Sequence, residues 1–125
     1  MDASVERMAG TACVGIRFER RLTREQVQEM ARIVEEAIGT SDDVRLLLDL
    51  GATEEYEPSA FTSLEGAMTS ARSIGPVTRY AVVDAPAPAK AAIETFEKIL
   101  PLKGRVFAAG EQARARAWAF ALDKS

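Results

Sequence analysis

Val44-Arg45-Leu46-Leu47-Leu48-Asp49-Leu50 is the stretch that decides how this chain reads. A nearly unbroken apolar run of this length suits a strand buried on both faces of an α/β sheet. It is followed by the acid-rich Gly51-Ala52-Thr53-Glu54-Glu55-Tyr56-Glu57 and then by Pro58-Ser59-Ala60-Phe61, which reads as a loop leading into a helix. Ligands in open α/β sheets gather beyond the carboxyl ends of the strands, so the expected functional loop runs from Gly51 to Ser59.

The flanking segments extend this pattern in both directions. Residues Ser4 to Met8 and Thr11 to Phe18 read as two strands of a hairpin around Gly10. Thr23 and Gln26 stand at capping-box spacing ahead of the apolar stripe Val27, Met30, Ala31, Val34, Ala37 and Ile38, which Gly39 ends. A second helix carries Phe61, Leu64, Met68, Ala71 and Ile74 and closes at Gly75-Pro76, with Ser59 and Thr62 both suited to its amino cap. Arg79 to Asp84 reads as a strand, and Ala85-Pro86-Ala87-Pro88-Ala89 as a turn into a helix from Pro88 to Leu100 that Pro101 stops. Arg105 to Ala109 predicts a last strand, and Glu111 to Leu122 a last helix with Trp118 and Leu122 one turn apart. The sum is an α/β fold in one domain over residues 1–125: a single mixed, mostly parallel sheet of five strands with four helices and an opening β-hairpin.

Composition removes several function classes. The 125 residues include no histidine, so the usual general base, metal ligand and partner of a nucleophilic serine or cysteine are all missing. Cys13, the single cysteine, lies in the apolar Ala12-Cys13-Val14-Gly15-Ile16 and reads as a small buried hydrophobe. No metal site and no cofactor is expected. A net charge of −3, with the basic group Arg17, Arg20, Arg21 and Arg24 diluted by Glu19 and Glu25, argues against nucleic acid. No apolar stretch reaches the ~20 residues of a transmembrane helix, and Met1 to Arg7 does not read as a signal peptide, so a cytoplasmic location is expected.

Taken together, the Thr23 helix start, Val44 to Leu50, Arg79-Tyr80-Ala81-Val82-Val83-Asp84, Arg105-Val106-Phe107 and Ala113 through Trp118 resemble the SpoIIAA-like proteins. These are relatives of the STAS domain of anti-sigma-factor antagonists and sulfate-transporter tails. The resemblance implies a domain that binds rather than catalyses, with an apolar or lipid-like ligand as one expectation. In the antagonists a serine at the start of the helix after the central strand accepts phosphate, and Ser59 is the matching position. A helix amino terminus favours a phosphate there. The antagonists have Asp-Ser-Ser-Gly at this turn, whereas this chain has Glu57-Pro58-Ser59-Ala60.

Two binding arrangements follow as expectations. Tyr56, Phe61, Leu64, Met68, Ile93, Phe96 and Ile99 supply more bulky apolar surface than one face per helix hides, which points to an apolar pocket between helices at residues 58–74 and 88–100. The same residues also read as core. Alternatively Ser59 and the Glu54 to Glu57 loop form a switch for a regulatory protein partner. Asp49 and Asp84, at strand ends, would suit an Mg²⁺ site of the receiver type, but the acidic pair and lysine of that type are missing, so they read as turn acceptors. Lys90, Lys98 and Lys103 suggest peripheral contact with an anionic membrane, and an exposed edge strand or the apolar helix pair suggests a homodimer.

Overall fold

The computed structural model describes residues 2–8, 10–39, 41, 43–60, 77–84 and 103–120. Within them run β1 (Asp2–Met8), β2 (Thr11–Leu22), α1 (Arg24–Ile38), β3 (Asp43–Tyr56), β4 (Val77–Val83), β5 (Lys103–Phe107) and α2 (Gln112–Ala119). The strands form one sheet in sequence order, β1 antiparallel to β2 and each later neighbour parallel. Gly10, at φ 85, makes the tight turn of the opening hairpin, a conformation that glycine adopts without steric penalty. The helix expected over Pro88 to Leu100 lies outside the described residues. Of the helix after β3, the turn Pro58 to Ala60 lies within them.

Each sheet face is packed differently. On one face Val14, Ile16 and Phe18 of β2, Val44 and Leu48 of β3, and Tyr80 and Val82 of β4 meet Val27, Met30, Val34 and Ala37 of α1 in a single buried cluster. These α1 positions are the stripe read from the sequence, and each fully buried aliphatic or aromatic side chain contributes about 1.5–3 kcal/mol. Thr23 caps the helix by accepting the Gln26 N–H at 3.2 Å. The reciprocal arm of the box is not made, since Gln26 Oε1 is buried without a hydrogen-bond partner. Gly39 follows the helix in a right-handed conformation, φ −65.

On the opposite face Leu47, Ala81, Val83 and Phe107 pack against Ala115 and Ala119 of α2. Alanine on both sides lets the helix lie close to the strands. Trp118 tilts against Phe107 with ring centroids 6.2 Å apart. Arg79 reaches over from β4, its guanidinium 5.4 Å from the Trp118 ring centroid and its Nη1 donating to the Trp118 carbonyl at 2.9 Å. Arg105 also lies over this ring, at 6.0 Å. On β5, Gly104 leaves room for the Tyr80 side chain, with which any added Cβ would collide.

At the amino ends of the parallel strands Asp43 joins three of them. Its carboxylate accepts from Thr11 of β2 at 3.1 Å, from Arg45 Nε at 3.1 Å and from the Thr78 hydroxyl of β4. Burial works to raise its pKa, but the Thr78 bond, the Arg45 charge and the Thr11 bond outweigh it and hold the carboxyl below its ordinary value.

The carboxyl ends depart from the sequence expectation. The segment from Gly51 to Tyr56 is not a loop, because β3 continues through it, paired with the far end of β2 up to Leu22 against Tyr56. β4 leaves the sheet earlier, at the Asp49 and Val83 pair. The outer β2–β3 segment therefore runs on past β4 as a two-stranded parallel arm. Its pairing shifts register between Arg17 and Glu19 and between Arg20 and Arg21, with Arg20 in the left-handed region at φ 61. The Thr53 hydroxyl donates to the Phe18 carbonyl at 3.0 Å across the first shift. Gly51 starts no turn; its N–H goes to Asp49 Oδ1 at 2.8 Å while the strand runs on. The last strand also differs, starting at Lys103 and ending at Phe107 because the Ala108 N–H turns to the Glu111 side chain at 2.9 Å.

Candidate functional site

The end of the β2–β3 arm is where the described candidate residues come together. Glu57 N–H donates to the Leu22 carbonyl at 2.9 Å, which ties the exit of β3 to the entry of α1. Ala60 N–H then donates to the Glu57 carbonyl at 2.9 Å, and helical structure begins at Pro58. Proline suits this first helical position, where its missing N–H would have no partner in any case. Ser59 therefore sits inside the first turn and is not the cap that the sequence suggested. Its hydroxyl donates to Glu57 Oε1 at 2.6 Å.

Glu57 is the hub of this end. The Ser59 hydroxyl is the main reason its carboxyl stays below the usual range; burial opposes this, and the Arg24 N–H at the start of α1 and the charges of Arg21 and Arg24 add to it. Arg21 stands 3.9 Å from Glu57 and 4.0 Å from Glu55. Such exposed, stretched ion pairs contribute little stability and exchange partners readily. Tyr56 is half-buried and packs against the α1-face cluster. Burial first, and the negative charge of Asp84 second, raise its pKa, so the phenol stays neutral. Asp84 turns out of β4 in the left-handed region, φ 58, with its N–H bound to the Phe107 carbonyl at 2.8 Å.

Among the described residues no group of three metal-ligating side chains converges. Asp49 is held as a backbone acceptor, but from within β3 with no turn after it, and not at the strand end that the sequence suggested. Cys13 is 1% exposed, and burial raises its thiol pKa against the lowering effect of Arg45. The arm end thus offers an exchangeable hydroxyl, carboxylate and guanidinium set. An open cleft of about 210 Å³ lies on the α2 face, with Gly15 in its lining and Asp2, Arg17, Asp49 and Arg116 around it.

Of the residues expected to line an apolar pocket, Tyr56 is described, whereas Phe61, Leu64, Met68, Ile93, Phe96 and Ile99 lie outside the described residues. The sequence alone puts Glu57 in an acid-rich loop and Arg21 in a basic group. Their pairing was detectable only through the register that brings Leu22 opposite Tyr56.

The fold is that of a SpoIIAA-like α/β domain. The SpoIIAA-like family model matches residues 13–119, and the chain belongs to that family. No curated protein matches it in sequence. Among solved structures it is similar to an uncharacterized protein with a SpoIIAA-like fold from Shewanella loihica PV-4, at TM-score 0.67 and 15% identity, over 94% of this chain and 92% of that one. It is also similar to the anti-sigma factor antagonist SpoIIAA in its unphosphorylated form, at TM-score 0.53 and 11% identity, over 98% of this chain and 100% of that one. Likeness at these identities concerns the fold. Among the described residues no helix is long and apolar enough to cross a membrane.

Proposed function

We propose that this protein is a non-enzymatic regulatory domain that docks a partner protein on the end of its β2–β3 arm, with Ser59 as the controlling residue. The observation that carries this reading is the Ser59 hydroxyl bonded to Glu57 at 2.6 Å in the first turn of a helix, next to an Arg21 that stands 3.9 Å from Glu57. A phosphate on Ser59 would compete with Glu57 for Arg21, while Glu55 and Glu57 would repel it, so modification would rearrange this surface. The structural neighbour named an anti-sigma factor antagonist supports a regulatory role of this kind. Peptide mass spectrometry of protein purified from its native host tests it. Phosphate on Ser59, absent from Ser59→Ala, is expected; an unmodified Ser59 under all growth conditions, with no protein bound at the arm, would end this reading.

A second reading, an apolar or lipid-like ligand held between the helices at 58–74 and 88–100, draws support from Tyr56, whose half-buried, uncharged ring packs against the core cluster. Native mass spectrometry followed by organic extraction would reveal such a ligand, and Phe96→Asp should abolish its uptake.

A further inference from the structure

β1 differs from every other strand in the sheet. Each residue from Asp2 to Arg7 is exposed, on both faces of the sheet, and the outer edge of β1 pairs with no strand described in the sheet. α1 packs over β2 and β3, and α2 over β3, β4 and β5. On β1 lies Val5, 41% exposed, the large hydrophobic side chain most open to water among the described residues. A straight edge strand without proline, carrying an exposed valine, is a template for another strand.

We infer that this edge pairs antiparallel with the same edge of a second copy, with the two-fold axis at Val5, to make one continuous sheet across the dimer. The register follows from strand geometry and charge. Outward-pointing backbone groups come from alternate residues, so in a symmetric antiparallel pair the axis falls on a residue and facing residues share a face. An axis at Ser4 sets Asp2 against Glu6 of the partner subunit, and an axis at Glu6 or Arg7 sets a charge against its own copy. An axis at Ala3 leaves too short an overlap. With the axis at Val5, each Val5 faces the partner's Val5, Ser4 faces the partner's Glu6, and Ala3 faces the partner's Arg7. No like charges are opposed, and the exposed valine is covered on both sides. Glu6 is already steadied by Arg116 of α2 at 2.9 Å, which helps it receive the Ser4 hydroxyl across the interface.

Sedimentation velocity of the full chain over a wide concentration range tests this directly, and a concentration-dependent dimer is expected. Val5→Asp, which places two carboxylates in direct opposition at an exposed position, should weaken the dimer about tenfold or more, and Ser4→Lys, facing the partner's Glu6, should tighten it roughly threefold. Circular dichroism of both variants checks that they fold. The register is read by oxidation. Val5→Cys should cross-link efficiently, because facing Cβ atoms lie about 4.5–5.5 Å apart, whereas Ala3→Cys should not, its two copies being separated by roughly 14 Å. Cys13 is buried and does not compete. A chain that stays monomeric to millimolar concentration, a dimer unaffected by Val5→Asp, or cross-linking through Ala3→Cys instead of Val5→Cys would each overturn the inference.

Discussion

The two ends of β3 use the same chemistry to different effect. At the amino end Asp43 gathers hydroxyls from β2 and β4 and the guanidinium of Arg45, whose side chain is 13% exposed. Just past the carboxyl end Glu57 gathers Ser59, the Arg24 N–H and Arg21, but here the arginine side chain is 59% exposed. Both carboxylates lie below their usual pKa, so a lowered pKa alone does not distinguish a structural knot from a binding surface. What separates them is the company each keeps. Side chains on three neighbouring strands cannot leave Asp43 without opening the sheet, whereas the partners of Glu57 can be exchanged for those of another molecule.

Several measurements would break or sharpen this contrast. The largest expected effect is from Asp43→Ala, which strands Arg45 and two threonine hydroxyls and should destabilise the fold by about 2–3 kcal/mol in urea denaturation at neutral pH. A loss no greater than that of an ordinary surface variant would mean that the amino-end knot is ornamental. Thr23→Ala comes next, at about 1 kcal/mol, because what stabilises the carboxyl end is the helix cap and not the ion pairs.

Acidification provides the third test. The Asp43 pKa is depressed in the folded chain, so its contribution is present above the unfolded value of about 3.9 and is lost as pH falls through the lower folded value. Urea midpoints measured from pH 7 down to pH 3 should therefore fall less steeply for Asp43→Asn than for the wild type; parallel curves would contradict the assignment. The smallest effect belongs to Ser59→Ala, which should leave stability within about 0.5 kcal/mol while altering what binds at the arm. A clearly larger loss would make Ser59 a structural residue and weaken its regulatory reading.

Much of the fold was legible because it rests on local periodicity. The α1 stripe from Val27 to Ala37, the Thr23 cap and the apolar centre of β3 each follow from residues near one another in sequence. The outer half of β3 was not legible, since Gly51 to Tyr56 carries a glycine and acidic residues and has no apolar alternation of its own. It is a strand because the far end of β2 supplies its hydrogen bonds, a tertiary effect that overrides propensity. The same holds for Arg79 and Trp118, which meet from separate elements, and for Ser59, whose placement inside the helix rather than at its cap was decided by Pro58. The helix start and its serine were visible in the sequence; which atoms they touch depended on where β3 ended.

The chain's single tryptophan lies entirely on one side of this architecture, wedged between α2 and the sheet, with Phe107, Arg79 and Arg105 around its ring. Its emission is thus a private signal of the carboxyl-terminal helix, blind to the larger cluster under α1. Stacked guanidinium groups and a tilted phenyl ring should give it a spectrum that moves to longer wavelength when the helix lifts away. Monitoring fluorescence beside far-ultraviolet dichroism would then separate two events that a single probe merges. If the optical signal changes before the backbone signal, α2 is a detachable flap on a sheet that remains intact beneath it.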